Sequence, residues 1–221
     1  MKTSLVFMAG SVAVAAIAVS PGCGSQGGAD QDLIGTWQRL REDTTLRDQY
    51  TFGQDGTFAF DEFKADDPSA EDHMVGTYQA TDGTVVATVT NTPDGQHARL
   101  TFSYYASSSS FSTGAFLPTG AHDGIVGVWR GVMTLELLDE TGRPPQGAEE
   151  TDTYRDDGTF QATMTPSDGS PAIAWQGTYA EDSPGIFTAN GITTDGAHRT
   201  ATWQLLENAT LVGPNRIWTR K

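Results

Sequence analysis

The same four signals occur twice in this chain, in the same order. Each series contains a Gly-x-Trp motif, an aromatic residue leading into Asp-Gly-Thr-Phe, a Gly-Thr-Tyr motif and an Asp-Gly-x-His segment. The first copy has them at Gly35–Trp37, Phe52–Phe58, Gly76–Tyr78 and Asp94–His97, and the second at Gly127–Trp129, Tyr154–Phe160, Gly177–Tyr179 and Asp195–His198. A unit of roughly a hundred residues is too long for a solenoid repeat and long enough to fold alone. The duplication therefore predicts two domains, at 33–120 and 124–221.

The distance between matching positions increases by about ten residues after the first signal, and it is 101 residues at the last two signals. It is 92 residues between Trp37 and Trp129, and 102 residues between Asp55 and Asp157. One insertion in the second copy accounts for the change. We expect it in the polar, Pro-rich segment 141–150.

Both copies have the pattern of short antiparallel strands. The turns Gln54-Asp55-Gly56 and Asp156-Asp157-Gly158 lie between aromatic and β-branched residues, which is a strong hairpin signal because glycine accepts a positive φ. Leu100, Phe102 and Tyr104 alternate with polar neighbours, as on a half-buried strand. Only the segment 134–138 is ambiguous between helix and strand. The prediction is an all-β fold of two tandem small antiparallel up-and-down β-barrels, because closing a sheet removes its edges.

The N-terminus has the layout of a secretory signal. Lys2 precedes an apolar run from Leu5 to Val19, which is too short for a spanning helix, and small residues follow up to Cys23. We predict a signal peptide at 1–22 and a flexible tether at 23–32. Cys23 is the single cysteine, so no disulfide can form within the chain, and cysteine catalysis in a folded domain is excluded.

Cys23 resembles the modified cysteine of the bacterial lipobox, which is lipidated and becomes the N-terminus. The resemblance implies a lipoprotein anchored in the membrane, and Gly24 after the cysteine implies the outer membrane. Ser20 departs from the pattern, because the family usually has a bulky aliphatic residue three positions before the cysteine. The alternative is an ordinary signal peptide cut near Ala16 or Ser20, which gives a secreted or periplasmic soluble protein.

The charge of the chain excludes one class of partner. The formal net charge is −15. Residues 1–22 carry only Lys2, so the processed protein has a charge of −16. Such an acidic surface repels nucleic acid, so nucleic-acid binding is excluded. No ligand spacing for zinc or calcium is present, and no cofactor or metal is predicted.

The repeated motifs resemble the bacterial lipocalin-like domains of secreted lipoproteins, once per copy. In that family the glycine of Gly-x-Trp lets the first strand turn across the barrel end, and the tryptophan plugs it. The resemblance assigns these roles to Gly35 and Trp37 and to Gly127 and Trp129. It also implies a basic residue from the last strand over the tryptophan. The position is Arg216 in the second copy, and it is Ala115 in the first.

Few residues point to catalysis. His97 and His198 occupy one position of the repeat, and they either converge on a metal or simply begin strands, half exposed; we favour the second reading. Several acidic residues resemble the carboxylate pair of a glycosidase only in composition, and we expect them to be solvated in polar loops. These residues are Asp61, Glu62, Asp66, Asp67, Asp139 and Glu140.

The sequence therefore predicts a non-enzymatic cell-envelope lipoprotein whose barrels bind a small apolar ligand or serve as a module for protein contacts. Two alternatives stay open. One is an envelope hydrolase acting on sugar or lipid at a barrel mouth, and the other is a purely structural or adhesive surface protein.

Overall fold

The computed structural model describes residues 30–41, 45–64, 70–92, 94–139, 144–207, 210–213 and 217–220. These residues form sixteen strands in one antiparallel sheet. The strands up to residue 118 are β1 (Gly35–Leu40), β2 (Leu46–Phe52), β3 (Thr57–Lys64), β4 (Ala70–Thr81), β5 (Thr84–Asn91), β6 (Ala98–Ala106), β7 (Ser110–Thr113) and β8 (Leu117–Pro118). The others are β9 (Gly127–Leu137), β10 (Gln146–Tyr154), β11 (Thr159–Pro166), β12 (Ile173–Ser183), β13 (Ile186–Thr193), β14 (His198–Leu206), β15 (Thr210–Val212) and β16 (Ile217–Arg220).

The all-β prediction is confirmed. The described residues contain no α-helix, and 134–137, the ambiguous segment, belongs to β9. No helix in the described part of the chain is long and apolar enough to cross a membrane.

Each copy folds as a meander, in which every strand pairs with the next along the chain. The runs β1 to β6 and β9 to β15 follow this order without interruption. The predicted turns join their strands: Gly56 and Gly158 have φ of 81° and 80°, and Asp82-Gly83 closes the β4–β5 hairpin with two positive φ values. At Asp55 and Asp157 the carboxylate accepts a hydrogen bond from the backbone N–H two residues on.

The two copies exchange their last strands. β16 follows the second meander, yet it pairs with β1 and β7, with Trp37 opposite Arg220 and Ser112 opposite Ile217. β8 follows the first meander, yet it pairs with β9, and the neighbouring Phe116 forms a bridge to Leu211 in β15. Residues 110–112 and 116 therefore pair antiparallel with residues 217–219 and 211, between the two halves.

The predicted insertion lengthens the β9–β10 hairpin. β1 ends at Leu40, whereas β9 continues to Leu137, and this extension pairs with the first part of β6. The second part of β6 pairs with β7. Because β6 and β9 are hydrogen-bonded, one sheet runs through both halves. This continuous sheet does not establish the predicted two separate tandem barrels.

Two hydrophobic cores lie in the two halves. The first contains Trp37, Phe52, Phe58, Phe102 and Phe111, all nearly or fully buried. The second contains Trp129, Phe160, Trp175 and Leu211, together with Phe116, which comes from the first copy. The exchange of strands therefore extends to the side chains of the second core.

Candidate functional site

The two signature tryptophans occupy equivalent, fully buried positions. The Trp37 Nε1–H donates to the carbonyl oxygen of Leu33 at 2.8 Å, and the Trp129 Nε1–H donates to that of Ile125 at 2.7 Å. In both copies the acceptor lies four residues earlier, in the turn that leads into the first strand. Each indole thus holds this turn against its core.

The turn before β1 includes residues that the sequence assigns to the tether. Residues 30–32 fold back, and Leu33 N–H donates to Asp30 O at 3.0 Å. The Tyr104 hydroxyl donates to the Asp30 carboxylate at 2.8 Å. The fold therefore includes residues before the predicted domain start at residue 33.

The two signature glycines have backbone angles that favour glycine. Gly35 has φ of 141° and Gly127 has φ of 151°. A Cβ at Gly127 would lie 2.7 Å from the Cβ of His122. Cys23 and Arg216 lie outside the described residues, so the lipid anchor and the basic partner of Trp129 stay predictions. Ala115 is fully buried.

The histidines lie mainly at the surface. His97 contacts Asp139, with Nδ1 2.9 Å from the carboxylate, and His198 is exposed at the start of β14. His73 lies in β4 and pairs with Asp61 on β3, with 2.5 Å between Nδ1 and Oδ1. Among the described residues, no group of three or more His, Cys, Asp or Glu side chains could hold a metal ion.

The expectation of solvated loop carboxylates is wrong for Asp61 and Glu62. Both lie in β3, because the strand continues beyond Phe60 to Lys64. Glu62 is half-buried beside Arg41, and desolvation raises its pKa. Asp139 is exposed, and the His97 backbone N–H lowers its pKa. Asp66, Asp67 and Glu140 are outside the described part of the chain.

A charged cluster lies in the first half next to the aromatic core. The Asp48 carboxylate is 2% exposed and binds two guanidinium groups, Arg39 Nη2 and Arg41 Nη2, each at 2.7 Å. Arg41 also pairs with Glu62. The cluster is balanced, with two positive and two negative groups. Asp48 Oδ2 accepts hydrogen bonds from both arginines, whereas Oδ1 has only the ion-pair contact with Arg41.

The second half contains a buried carboxyl group without a cationic partner of this kind. Asp152 is fully buried on β10, and its Oδ2 accepts a hydrogen bond from the Tyr154 hydroxyl at 3.1 Å. Its Oδ1 has no hydrogen-bond partner among the described residues, and the same holds for the buried Trp203 Nε1. Burial, reinforced by the negative charge of Glu150, raises the pKa of Asp152 to about 8. The group is therefore mostly protonated at neutral pH.

Glu150 pairs with Arg199, the cation that lies next to it among the described residues. Arg199 Nη1 lies 3.6 Å from the Glu150 carboxylate, and its guanidinium lies 4.7 Å from the centre of the Trp175 ring. The Trp175 Nε1–H donates to the same carboxylate oxygen at 3.3 Å. Glu150 is thus neutralised locally, whereas Asp152 is not.

The repeat relates these groups to the first half. At the offset of 102, Asp152 corresponds to Tyr50, and Glu150 corresponds to Asp48. Asp152 is not among the residues that the sequence predicts for a site. A signal was present, because alternation from the core residue Tyr154 puts Asp152 on the buried side of its strand. A carboxyl group aligned with a core tyrosine is the feature that identifies it.

Two surface depressions accompany these clusters. One, of about 300 Å³, is lined by Pro144, Pro145, Gln146, Gly147 and Asp168. The other, of about 540 Å³, lies between the turn at 121–128 and residues 153–156. Neither is lined by Asp152 or Asp48. The buried carboxyl groups are therefore not exposed to a substrate through either depression.

Asp152, Tyr154 and Trp203 bring a buried carboxyl group, a hydroxyl group and an indole N–H together in the core, and this cluster is the most unusual chemistry of the described residues. Comparison with known proteins found no family model, no curated protein and no solved structure that matches the chain.

Proposed function

We propose that the protein is a non-enzymatic bacterial cell-envelope lipoprotein, anchored in the outer membrane through Cys23, whose two halves form a rigid module for protein contacts. The observation that carries this proposal is the filling of both cores. In the first half, Trp37, Phe52, Phe102 and Phe111 are at most 1% exposed. Aromatic side chains occupy the space that a small apolar ligand would need.

The fold in this proposal is a pair of eight-stranded barrels with exchanged last strands. For the first barrel, the support is a ring of pairs that leads from β1 through β6 and β7 to β16 and back to β1. For the second, β8 and β15 are joined by the Phe116–Leu211 bridge. Each barrel thus uses seven strands of its own copy and one of the other, in agreement with the lipocalin-like resemblance of the motifs.

Rings in contact make the first core rigid. Phe111 lies 5.4 Å from Phe52 and 5.7 Å from both Trp37 and Tyr50, measured between ring centroids. These are tilted and edge-to-face arrangements, each contributing about 0.5–1.5 kcal/mol beyond burial. A module of this kind resists deformation, which suits a protein that presents a fixed surface to partners in the envelope.

The alternative of an envelope hydrolase needs a carboxyl group of raised pKa that a substrate can reach. Asp152 meets the first requirement, but it is fully buried and outside both surface depressions. We therefore favour the function as a contact module over the function as a hydrolase.

Native mass spectrometry of residues 24–221, purified from the host, tests the proposed function. We expect the mass of the polypeptide alone, both in the folded state and after denaturation. A small molecule carried by the folded protein and lost on unfolding would overturn the contact module in favour of a ligand-binding barrel.

Cysteine cross-linking tests the exchanged barrels, since residues 24–221 contain no native cysteine. Gln38 lies opposite Thr219, a separation that suits a disulfide. In the double variant Gln38→Cys/Thr219→Cys we expect rapid oxidation to an intrachain disulfide. The matched control is Gln38→Cys/Pro118→Cys, because Pro118 corresponds to Thr219 at the repeat offset of 101. Oxidation of the control pair alone would show that each copy keeps its own last strand.

Membrane fractionation tests the anchor separately. The full chain with Cys23→Ser is expected to leave the membrane fraction for the soluble envelope fraction, whereas the unchanged chain remains with the outer membrane. Equal distribution of the two proteins would contradict lipidation and leave the barrel test unaffected.

A further inference from the structure

The buried carboxyl group and the exchanged segment meet in the second core. The Phe116 ring packs on the Trp203 ring with 4.7 Å between centroids. The Trp203 indole N–H lies next to the Tyr154 hydroxyl without forming a well-aligned hydrogen bond. The Tyr154 hydroxyl in turn donates a hydrogen bond to Asp152. A continuous path of contacts therefore leads from Asp152 to the residue with which the first copy enters the second half.

This region is also where the second half is held together by the fewest backbone contacts. β8 has two residues, β15 has three, and the Phe116–Leu211 bridge connects them. The two hydrogen bonds of that bridge are Phe116 N–H to Leu211 O and the reverse, at 2.8 and 2.9 Å. Gly131 leaves room for the Phe116 ring, since a Cβ there would meet the ring at 3.0 Å.

The charges that act on Asp152 come from two strands. Glu150 and Tyr154 lie on β10 itself, and Arg199 lies on β14. The neighbouring strands present uncharged residues to it: Trp129 on β9 and Ala162 on β11 are directly opposite Asp152 and fully buried. Arg199 is already paired with Glu150, so ionised Asp152 would have no cation of its own.

We propose that Asp152 is a proton-binding site that acts as a latch on the second half: the protonated carboxyl group keeps the core closed around Phe116, and loss of the proton loosens the Trp203–Phe116 contact. An ionised carboxylate in this core lacks hydrogen-bond donors other than Tyr154, so it is stabilised only if water enters. Two places of the second half could admit this water: the surface depression of about 540 Å³, whose lining includes Tyr154, and the short β8–β15 closure. The inference does not depend on the proposed function.

The sign of the pH effect follows from linkage. In the unfolded chain an aspartate has a pKa of about 3.9. Burial raises the folded value to about 8. Between these two values the folded protein binds more protons than the unfolded one, so stability is highest below the lower value and falls as the pH rises towards the upper one.

Denaturant unfolding of residues 24–221 and of Asp152→Asn, from pH 5 to pH 9, tests the latch. The ratio of the two unfolding constants, unchanged chain over variant, is expected to rise by up to about tenfold per pH unit until about pH 8 and then to level off. A ratio that is independent of pH would overturn the proposal.

A second variant keeps the test decisive if Asp152→Asn folds poorly. Glu150→Gln removes the negative charge that helps to hold the proton, so the upper end of the pH dependence is expected to move to lower pH. The exposed Glu149→Gln serves as the control and is expected to leave it unchanged. Movement of the upper end in the control and not in Glu150→Gln would contradict the assignment to Asp152.

Hydrogen exchange followed by mass spectrometry separates a latch from a general effect on stability. Above pH 8 we expect the protection factors of segments 116–118 and 210–212 to fall more than those of β1 to β5. An equal fall in all segments would show that Asp152 titrates without controlling the closure.

Discussion

The two halves stabilise a buried carboxyl group in different ways. In the first half, Asp48 is held by Arg39 and Arg41, and an aromatic layer lies beside it. In the second half, the position that corresponds to Asp48 is Glu150, and the carboxyl group one layer deeper, Asp152, replaces the core aromatic Tyr50. One half uses cations, and the other uses a proton.

The difference shows that duplication preserved the scaffold and left the interiors free to diverge. The turns, the glycines and the tryptophan hydrogen bonds coincide in both copies because backbone geometry requires them. The first core is aromatic and insensitive to pH in its packing groups. The second combines fewer aromatic residues with a titratable side chain, so the two halves are expected to respond differently to acid and alkali.

The largest expected effect concerns two phenylalanines that lie five positions apart in the chain. Phe111→Ala removes a ring from the first core, and Phe116→Ala removes one from the second. Each is expected to lower the free energy of unfolding by about 3–5 kcal/mol. Hydrogen exchange should increase mainly in β1 to β6 for Phe111→Ala and mainly in β9 to β15 for Phe116→Ala. Loss of protection in the first half from Phe116→Ala would contradict the exchange.

The same chemical substitution is expected to have opposite signs in the two halves. Asp48→Asn leaves two arginines without their carboxylate, so we expect a loss of about 2 kcal/mol at pH 7; both arginines are partly exposed, which lowers the cost. Asp152→Asn removes the group whose ionisation opposes folding, so we expect a gain of about 1–3 kcal/mol at pH 7, reduced by the unpaired amide N–H. Denaturant unfolding measures both, and equal signs would remove the contrast between the halves.

The smallest effect is expected where the halves are alike. Asp55 and Asp157 make the same turn, each accepting hydrogen bonds from the hydroxyl and backbone N–H of the threonine two residues on. Asp55→Ala and Asp157→Ala should each lower Tm slightly and by the same amount. A clear difference between them would mean that the scaffold, and not only the interior, has diverged.

Much of the fold follows from local signals in the sequence. The Asp-Gly turns and the buried tryptophans depend on short segments, so the sequence predicted them correctly. The alternation in β6 is confirmed for Phe102 and Tyr104, but Ser103, expected on the polar face, is also buried. The exchange of β8 and β16 could not be predicted, because the two strands have the same place in the repeat and fit either partner equally well by pattern. The pairing of β6 with β9 depends on an insertion whose role is visible only when both strands are placed.

The site was predicted less well than the fold. The candidate catalytic and metal-binding residues in the sequence were histidines and groups of acidic residues. These lie at the surface or in ion pairs. Asp152 occurs in the segment Glu149-Glu150-Thr151-Asp152-Thr153, which looks like a polar strand. Its burial follows from its alternation with the core residue Tyr154 and from the position of β10 between β9 and β11.

The exchanged strand also fixes the order in which the protein can be completed. β1 leaves the ribosome early, yet its partner β16 follows only after the whole second copy, roughly 10–40 s later at typical rates of about 5–20 residues per second. During that interval the edges of β1 and β7 lack a partner, and open strand edges are prone to pair with other chains. A nascent chain therefore exposes these two edges until residues 217–220 arrive, so its yield depends on protection of the edges during synthesis as well as on the stability of the finished molecule.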